Sequence, residues 1–408
     1  MAKNSFDLII VGGGPAGATA ALFAHRLGLN ALLVDKAKFP RDKICGDALS
    51  GLALGIMRQL DLLDEIDTLP GMATNSVTFG SPNGSSFNVV IGSEENGGKH
   101  RGYIIRREVF DNFLFKKAAD LVTTQEQFTV KDLSWKKDQV VGITGMKSGA
   151  DHVQEFWAPV VIGADGFSSI ISRKTGLYKH ISDHWCVAVR QYFQNVDGLK
   201  DQMELHYARE IQPGYFWIFP LENGIANVGV GMLYSTMKER GLNLIHTLND
   251  ITTRAPFAER FKNAVALDEP RGWNLPIGST RRTCHGSGFM LIGDAAGLID
   301  PFTGEGIGNA MISAKLSVDR AKIAYQEKNF SAEFFSEYEH ELWNTVGSQM
   351  KLGTRLQRLG EWQWLLNFVV GKGKKSQQVR DTIAAMITNE LPRENLVDPL
   401  FYLKLLFA

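Results

Sequence analysis

Short apolar runs that end at glycines occur at three places in the 408-residue chain. They are residues 6–11 (FDLIIV, apolar after its aspartate), 160–162 and 289–292. Uninterrupted apolar runs of this length are typical of parallel strands that are covered on both faces. A tight turn and then a stretch with helical spacing follow each run. This alternation predicts an α/β fold built around a Rossmann-like sheet.

Two other segments, roughly residues 74–98 and 184–273, alternate polar and apolar residues in the manner of half-exposed strands. The first contains Ser81-Pro-Asn-Gly84, a typical turn sequence. Together they predict a second, antiparallel sheet that covers the first layer. From about Ser331 onward the spacing is helical. One face of that helix is predicted to carry Ala332, Phe335, Tyr338 and Leu342.

These patterns divide the chain into three predicted parts. A discontinuous Rossmann-like, cofactor-binding domain takes residues 1–73, 99–180 and 274–330. An antiparallel, substrate-binding sheet domain takes residues 74–98 and 181–273, and a C-terminal helical region takes residues 331–408. Trp362-x-Trp364 falls within the helical pattern and is interpreted as packing.

An aromatic strip, PGYFWIFP at residues 213–220, places five large apolar side chains between two prolines. On a strand, Tyr215, Trp217 and Phe219 share one face, and Phe216 and Ile218 share the other. Taken alone, an aromatic stripe with this spacing is more often protein core than a binding surface. One face is therefore expected in the core, and a neighbouring ligand site decides the role of the other.

The first apolar run leads into GGGPAG, in which Gly12, Gly14 and Gly17 satisfy the GxGxxG pattern. A helix of small residues and a second strand, residues 31–34, follow, and Asp35 ends that strand about 20 residues downstream. Glycines let the backbone approach a pyrophosphate, whose charge is stabilised at the positive end of the helix. The pattern predicts a dinucleotide site with Asp35 on a ribose, and the alternative for Asp35 is a solvated turn acid.

The second run ends at Asp165 and Gly166, and the third ends at Gly293 and Asp294. A carboxylate at the carboxyl end of a parallel strand is well placed to accept hydrogen bonds from ligand hydroxyls. Beyond the third run, PFTGEGIG at residues 301–308 permits close approach of the backbone. The helix that starts there is expected to point its N-terminus at a cofactor.

Composition and charge exclude several classes of partner. Lysine plus arginine and aspartate plus glutamate each number 44, so no net charge favours nucleic acid. The three cysteines (Cys45, Cys186 and Cys284) form no CxxC pair, which argues against a disulfide framework and a zinc site and favours a reducing compartment. Cys186 and Cys284 are interpreted as core. With no apolar run of about 18 residues and no secretory cleavage site, a cytoplasmic protein is expected, and peripheral contact with a membrane stays open.

The three glycine and aspartate clusters together resemble those of the FAD-dependent oxidoreductases typified by para-hydroxybenzoate hydroxylase. The resemblance implies FAD as the cofactor, with Asp294 on the ribityl chain and residues 304–308 against the isoalloxazine ring. It also implies that Arg107, which precedes an FD pair, contacts the cofactor; the alternative is a helix-start cation with a surface partner. The implied cofactor-binding residues are Gly12, Gly14, Pro15, Ala16, Gly17, Asp35, Lys36, Arg107, Asp165, Gly166, Gly293, Asp294, Pro301, Gly304, Gly306 and Ile307.

Within that group, FPRDKICGD at residues 39–47 and the YxWxFP element followed by Gly229-x-Gly231 are similar to the geranylgeranyl reductase family. Its members saturate isolated C=C bonds in isoprenoid chains. The resemblance spans nearly all of the first 320 residues. It implies hydride transfer from reduced FAD to a polyprenyl lipid or quinone side chain, with NAD(P)H, a reduced ferredoxin or another electron-donor protein as the undetermined reductant. The implied substrate-binding residues are Tyr215, Trp217, Phe219 and Pro220.

The resemblance also places the loop at residues 39–47 at the active site. Cys45, Gly46 and Asp47 are the implied catalytic residues, with Cys45 as a candidate proton donor. An isolated cysteine is also often an inert, small hydrophobe, so both roles stay open for Cys45. Arg41 and Lys43 either hold a diphosphate or carboxylate headgroup or form a solvated basic turn.

Other functions share parts of this pattern. An FAD-dependent aromatic monooxygenase or a halogenase-like enzyme would use the same cofactor fold, although the halogenase signature Trp-x-Trp-x-Ile-Pro is absent. A non-catalytic flavin- or lipid-binding protein is the alternative of another class. The tail segments LLNFVVGKGKKSQ and FYLKLLFA suit a packed helix, a membrane-surface segment or the roof of a lipid tunnel.

Overall fold

The computed structural model describes residues 4–91, 102–387 and 397 of the chain. In chain order the strands are β1 (Leu8–Val11), β2 (Ala31–Val34), β3 (Ala48–Leu49), β4 (Met72–Thr74), β5 (Ser76–Gly80), β6 (Ser86–Val90), β7 (Gly102–Ile104), β8 (Thr123–Gln125), β9 (Phe128–Lys136), β10 (Gln139–Lys147), β11 (Gln154–Trp157), β12 (Val160–Gly163), β13 (Trp185–Gln194), β14 (Met203–His206), β15 (Tyr215–Pro220), β16 (Ile225–Leu233), β17 (Val265–Ala266), β18 (Arg271–Pro276), β19 (His285–Gly286) and β20 (Phe289–Leu291). The helices are α1 (Pro15–Arg26), α2 (Gly51–Gln59), α3 (Arg107–Ala119), α4 (Ile170–Lys174), α5 (Tyr234–Glu239), α6 (Leu244–Thr253), α7 (Ala258–Phe261), α8 (Ile307–Glu327), α9 (Ala332–Leu359), α10 (Gln363–Lys375) and α11 (Gln377–Ile387).

A six-stranded sheet in the order β19-β20-β12-β1-β2-β8 forms the Rossmann-like layer. Every pair in it is parallel except β19 with β20 at the edge. The three predicted apolar runs supply three adjacent strands, β20, β12 and β1, although β1 begins two residues later than predicted. Because parallel strands share one carboxyl edge, Gly12, Asp165 and Asp294 all follow strands at that edge.

The helix after β1 starts where the sequence pattern places it. Gly14 is the N-cap of α1 and Pro15 is its first residue, where a missing N–H costs nothing. Nearly all of α1 is buried, because its alanines and glycine allow it to lie close against the sheet and α8. The Rossmann-like prediction is confirmed, with α1 and α8 approaching the carboxyl edge by their N-termini.

An eight-stranded sheet in the order β17-β13-β16-β15-β14-β5-β6, with β18 also paired to β13, forms the second layer. Its pairs are antiparallel with one exception: β14 runs parallel to β5. The sheet was predicted to be antiparallel and is mixed, because β5 from the first segment pairs in parallel with β14 from the second segment. The predicted turn from Ser81 to Gly84 connects β5 and β6, and the Gly84 amide donates to the Ser81 carbonyl at 2.9 Å.

One face of β15 packs into the apolar core of this second layer. Phe216 and Ile218 are fully buried there, together with Leu248 and Ile251 of α6. Helix α9 buries Phe335, Tyr338 and Leu342 as predicted, whereas Ala332 is exposed at the start of the helix, before the first contact with the core.

The prediction that Trp362 and Trp364 pack in the interior is wrong. They are 52% and 65% exposed, and their rings stack on each other with centroids 6.1 Å apart. α10 buries Leu365, Val370 and Gly373 instead, so Trp364 falls on the opposite face of the helix.

Parts of three predictions lie outside the described residues: residues 92–98 of the first sheet segment, residues 99–101, and the terminal FYLKLLFA. The division into three parts stays a prediction. Within the described ranges, the helices lack the combination of length and apolar character that crossing a bilayer requires.

Candidate active site

A cavity of about 1080 Å³ is lined by both sheets and by the N-terminus of α8. It brings together most of the residues that the sequence singled out. From the cofactor set it contains Gly12, Gly14, Pro15, Ala16, Asp35, Lys36, Arg107, Asp165, Gly166, Asp294, Pro301, Gly304, Gly306 and Ile307. From the loop and the aromatic strip it contains Cys45, Gly46, Tyr215, Trp217 and Phe219.

Four predicted site residues do not line this cavity. Gly17 faces the carbonyl of Gly12, and the Gly293 amide is bonded to the Ser313 hydroxyl at 3.1 Å, so both act within the protein. Pro220 does not line it because the alternation along β15 turns it away from the face that carries Phe219. Asp47 is fully buried behind the wall. Substrate contact by Pro220 and catalysis by Asp47 stay predictions, and neither side chain lines the cavity.

The glycine turn between β1 and α1 is closed by backbone contacts. A Cβ at Gly17 would overlap the Gly12 carbonyl oxygen, and one at Gly12, where φ is +107°, would overlap the Ala164 carbonyl. Gly14 is different, because a Cβ there would meet only the Arg41 guanidinium, at 3.3 Å. Gly12 and Gly17 thus shape the turn, whereas Gly14 opens it towards the cavity.

Three carboxylates, those of Asp35, Asp165 and Asp294, lie along the carboxyl edge of the six-stranded sheet. Asp35 accepts hydrogen bonds from the Gly13 amide at 2.6 Å and the Ala37 amide at 2.7 Å, so it also holds the glycine turn. Asp165 accepts one from the Ile170 amide at 2.6 Å through Oδ2, while its Oδ1 is buried with no partner among the described residues. Burial raises the pKa of Asp165. A buried, unpartnered oxygen on a cavity wall indicates a polar ligand.

The basic residues of this region form ion pairs inside the protein. Arg107 is buried and binds Asp111 through two contacts, at 2.6 and 2.8 Å, which excludes the alternative of a surface partner. Burial works against the charge of Arg107, but the Asp111 carboxylate raises its pKa above the usual value. Arg41 binds the same Asp111 at 2.7 Å, and Lys43 binds Asp294 at 3.0 Å. These pairs fasten the loop at residues 39–47 to the Rossmann-like layer, and a solvated basic turn is excluded.

The aromatic strip on β15 faces the cavity beside its partner strand β16. Tyr215, Trp217 and Phe219 lie opposite Gly231, Gly229 and Asn227 of β16. A Cβ at Gly229 would overlap the Trp217 ring, so this glycine makes room for the indole. The Tyr215 hydroxyl donates to the Thr303 carbonyl at 2.8 Å, which ties the strip to the loop before α8. One side of the strip is therefore cavity wall and the other is core, as alternation along a strand requires.

Behind that wall, Asn227 links the loop to the strip. Its amide nitrogen donates to the Cys45 carbonyl at 2.7 Å and to Asp47 Oδ2 at 2.8 Å, and its Oδ1 accepts from Trp217 Nε1 at 2.9 Å. The Tyr192 hydroxyl donates to the same Oδ2 at 2.7 Å, and the Arg107 amide donates to Oδ1 at 3.2 Å. Burial raises the pKa of Asp47 to about 6, against the lowering effect of these hydrogen bonds.

Sequence reasoning missed Asn227, Tyr192 and Arg190, which extend this network. The Arg190 guanidinium lies 3.9 Å from the Tyr192 ring centroid and pairs with Asp42 at 2.6 Å and with Asp268. The sequence does contain a signal for Asn227. It precedes Gly229 and Gly231 at the same two-residue spacing, which places all three residues on one face of a strand. Since β13 pairs with β16, Arg190 and Tyr192 follow on the same face.

Of the two cysteines that were assigned to the core, one is buried there and the other lines the cavity. Cys284 is buried, which confirms its assignment to the core. Cys186 is not core, because it lines the cavity beside Gln357, whose amide lies 3.8 Å from its sulfur. The enclosing walls raise the pKa of the Cys186 thiol to about 12, so it stays protonated at neutral pH. Cys45 also lines the cavity, on the loop held by Asn227.

These residues fit FAD. The turn at Gly14 leaves a path for a pyrophosphate beside the N-terminus of α1, and Asp35 and Asp294 lie where hydroxyls of a dinucleotide would be bound. The unpartnered Asp165 oxygen adds a further acceptor on this wall. Gly304, Gly306 and Ile307 bring backbone amides and the positive end of α8 to the cavity.

Comparisons with known proteins agree with this geometry. The family model described as FAD binding domain matches residues 5–318. A digeranylgeranylglycerophospholipid reductase from Methanosarcina mazei is 31% identical over 358 residues, which are 86% of this chain and 83% of that protein. A solved geranylgeranyl bacteriochlorophyll reductase-like protein from Thermoplasma acidophilum is 23% identical with a TM-score of 0.82, covering 95% of this chain and 98% of its own. A flavin-dependent brominase is 22% identical with a TM-score of 0.76, covering 94% and 93%. The two solved structures share the fold.

Proposed function

Because this chain belongs to the FAD binding domain family and, within it, to the geranylgeranyl reductases, we propose that it saturates isolated C=C bonds of a polyprenyl lipid. It is an FAD-dependent oxidoreductase. The observation that carries the substrate class is the aromatic face of β15, because Tyr215, Trp217 and Phe219 line the same cavity as the FAD-binding residues. A polyprenyl chain has few hydrogen-bonding groups, so its affinity must come from burial of apolar area, about 25 cal/mol per Å².

The residues around the cavity have distinct tasks in this reaction. Bound and reduced FAD supplies the hydride. Tyr215, Trp217 and Phe219 hold the apolar chain and exclude water from the reacting carbons. Arg107 and the amides at the start of α8 stabilise negative charge on the cofactor side.

The second hydrogen arrives as a proton, and Cys45 is the proposed donor. It lines the cavity on a loop fixed at both ends, by ion pairs at Arg41 and Lys43 and by the hydrogen bond from Asn227 to its carbonyl. Asp47 supports it from behind as a positioning residue. Cys186 is the other thiol on the wall, but it lies on β13 beside Gln357 and not on the loop at residues 39–47.

The three thiols are unpaired, which supports a reducing, cytoplasmic location as part of the proposal. The identity of the electron donor stays a prediction, NAD(P)H or a reduced ferredoxin. Because a polyprenyl lipid resides in a membrane, the enzyme has to reach the membrane surface to collect its substrate.

The reductase activity can be tested directly. Anaerobic incubation of the dithionite-reduced holoenzyme with a digeranylgeranyl phospholipid in detergent is expected to add pairs of hydrogens, seen by mass spectrometry as steps of two hydrogen masses. The Cys45→Ser variant should retain FAD and lose most of this activity. An aromatic substrate that becomes hydroxylated or halogenated under oxygen, with no hydrogen added to the lipid, would instead support a monooxygenase or halogenase.

Replacing Trp217 by leucine is expected to raise KM for the prenyl lipid and lower kcat/KM by about tenfold. The change removes cavity wall and the hydrogen bond to Asn227, while the rest of the strip stays in place. The matched control is Phe216→Leu on the opposite face of the same strand, which should lower Tm but leave KM unchanged. Equal changes of KM in the two variants would contradict a substrate role for this face.

A further inference from the structure

The two most exposed tryptophans among the described residues, Trp362 and Trp364, form a pair at the start of α10. Trp362 and Trp364 stack with their planes 18° apart, and more than half of each residue is open to solvent. Tryptophan is favoured where one part of a side chain is apolar and the other is wet, as at the interface of a bilayer.

α10 is amphipathic in a way that leaves an aromatic and basic face outward. Leu365, Val370 and Gly373 face the protein, with Gly373 packed tightly on the Phe87 ring of β6. Trp364, Gly371 and Lys375 are spaced at helical intervals along the other side, while the Phe368 ring is partly buried against the apolar cluster that contains Val370. Aromatic residues beside lysines on one helix face are typical of helices that lie in a membrane interface.

Charge in this region differs from charge in the rest of the chain. The whole protein is neutral by count, but residues 351–380 contain seven lysines and arginines and a single acid, Glu361. Lys351, Arg355, Arg358, Lys374 and Lys375 are exposed. A surface of this kind is complementary to anionic lipid headgroups.

The same region adjoins the cavity. Gln357 and Gly360, just before the tryptophan pair, line the cavity wall. Val77 and Ile91 line it too, and both belong to the apolar cluster that also contains Val370 beneath α10. A lipid tail that leaves a bilayer at this surface has an apolar wall to follow.

We propose that the outer face of α10, with Trp362 and Trp364 as anchors and the surrounding lysines and arginines as headgroup contacts, docks the protein on an anionic membrane next to the cavity. This rests on the proposed function for the reason to dock, and on exposure, spacing and charge for the location.

The test uses the full-length holoenzyme and two kinds of vesicle, phosphatidylcholine alone and phosphatidylcholine with phosphatidylglycerol. The parent protein is expected to cosediment with the anionic vesicles, and this binding is expected to weaken in high salt. The Trp362→Ala/Trp364→Ala variant should bind these vesicles at least about tenfold more weakly. The matched control replaces two other exposed tryptophans, Trp135→Ala/Trp157→Ala on β9 and β11, which are 44% and 42% exposed, and should bind like the parent.

Activity measurements separate docking from catalysis. The Trp362→Ala/Trp364→Ala variant is expected to reduce lipid in detergent at the parental rate and lipid in vesicles more slowly. If the parent protein binds vesicles but reduces no prenyl lipid in detergent or in vesicles, only the proposed function would be overturned. Unchanged vesicle binding of the variant would overturn the docking surface. The docking surface would also be overturned if Trp362 and Trp364 are shielded from aqueous quenchers when no vesicles are present, because this chain would then cover the pair. It would likewise be overturned if the protein is a dimer that the substitution dissociates, because a second copy would then cover the pair.

Discussion

Replacing Gly17 by alanine is expected to abolish FAD retention. The new Cβ would overlap the Gly12 carbonyl oxygen, and Gly12 in turn lies against the backbone at Ala164. The atoms that overlap belong to the Gly12 backbone, so no side-chain rotation can relieve the overlap. The turn between β1 and α1 must open, at a cost on the order of 3 kcal/mol or more. The measurement is the flavin absorbance of the purified protein, together with Tm.

Two further variants separate the fold from the ligand at this turn. A Cβ at Gly14 would meet the Arg41 guanidinium at 3.3 Å and overlap no backbone atom, so Gly14→Ala should keep its Tm without added FAD and still lose flavin, because Gly14 lines the cavity. Gly55→Ala, in the middle of α2 with no neighbour near the new Cβ, should keep flavin and gain about 0.5–1 kcal/mol of stability. Normal flavin content in Gly17→Ala would refute the role assigned to the turn.

Replacing Asp47 by asparagine is expected to lower kcat by about 100-fold with little change in KM. Asp47 Oδ2 accepts hydrogen bonds from both Tyr192 and Asn227, and an asparagine amide nitrogen in its place cannot accept either. Asn227 would then hold the Cys45 carbonyl and the Trp217 ring less firmly. Parental kcat in this variant would contradict a positioning role.

The same substitution is expected to change how the stability of the protein depends on pH. The pKa of Asp47 in the folded protein is raised from 3.8 to about 6 by burial. Its contribution to the free energy of unfolding is therefore full below pH 3.8 and declines as the pH rises to about 6, a loss of about 3 kcal/mol. The asparagine side chain of the Asp47→Asn variant has no charge to bury, so its unfolding free energy should be flatter across this pH window.

A matched control exists on the surface. Asp61 also has a positive φ, 55° against 68° for Asp47, and pairs with Arg26 in solvent. Because asparagine tolerates this backbone region as well as aspartate does, Asp61→Asn should leave kcat unchanged. The loss of turnover should thus be specific to position 47.

The sequence was informative wherever a local pattern has one backbone solution. GxGxxG after an apolar strand admits only the tight turn observed at Gly12, and alternation in β15 decides which face carries Trp217. The antiparallel prediction failed at the pairing of β5 with β14, because strands more than 120 residues apart in the chain are brought together by the tertiary fold. Local spacing carries no information about that choice.

The network behind the cavity wall was missed for a related reason. Asn227, Tyr192 and Asp47 come from β16, β13 and the loop before β3, and only strand register brings them within hydrogen-bonding distance. The interpretation of Trp362 and Trp364 as packing residues failed for a different reason. Helical spacing tells which residues share a face, but the side that meets the protein depends on the partner, here β6 with Phe87.

The second layer is assembled from two separate inserts, β5–β6 and β13–β18, that meet along the short β5–β14 pairing. The backbone therefore passes between the layers four times. Chimeras that exchange a single contiguous block between related reductases would split this layer and leave one edge unmatched. Transplanting substrate preference from a homologue requires that both inserts travel together, with the residues that join β5 to β14 taken from the same parent.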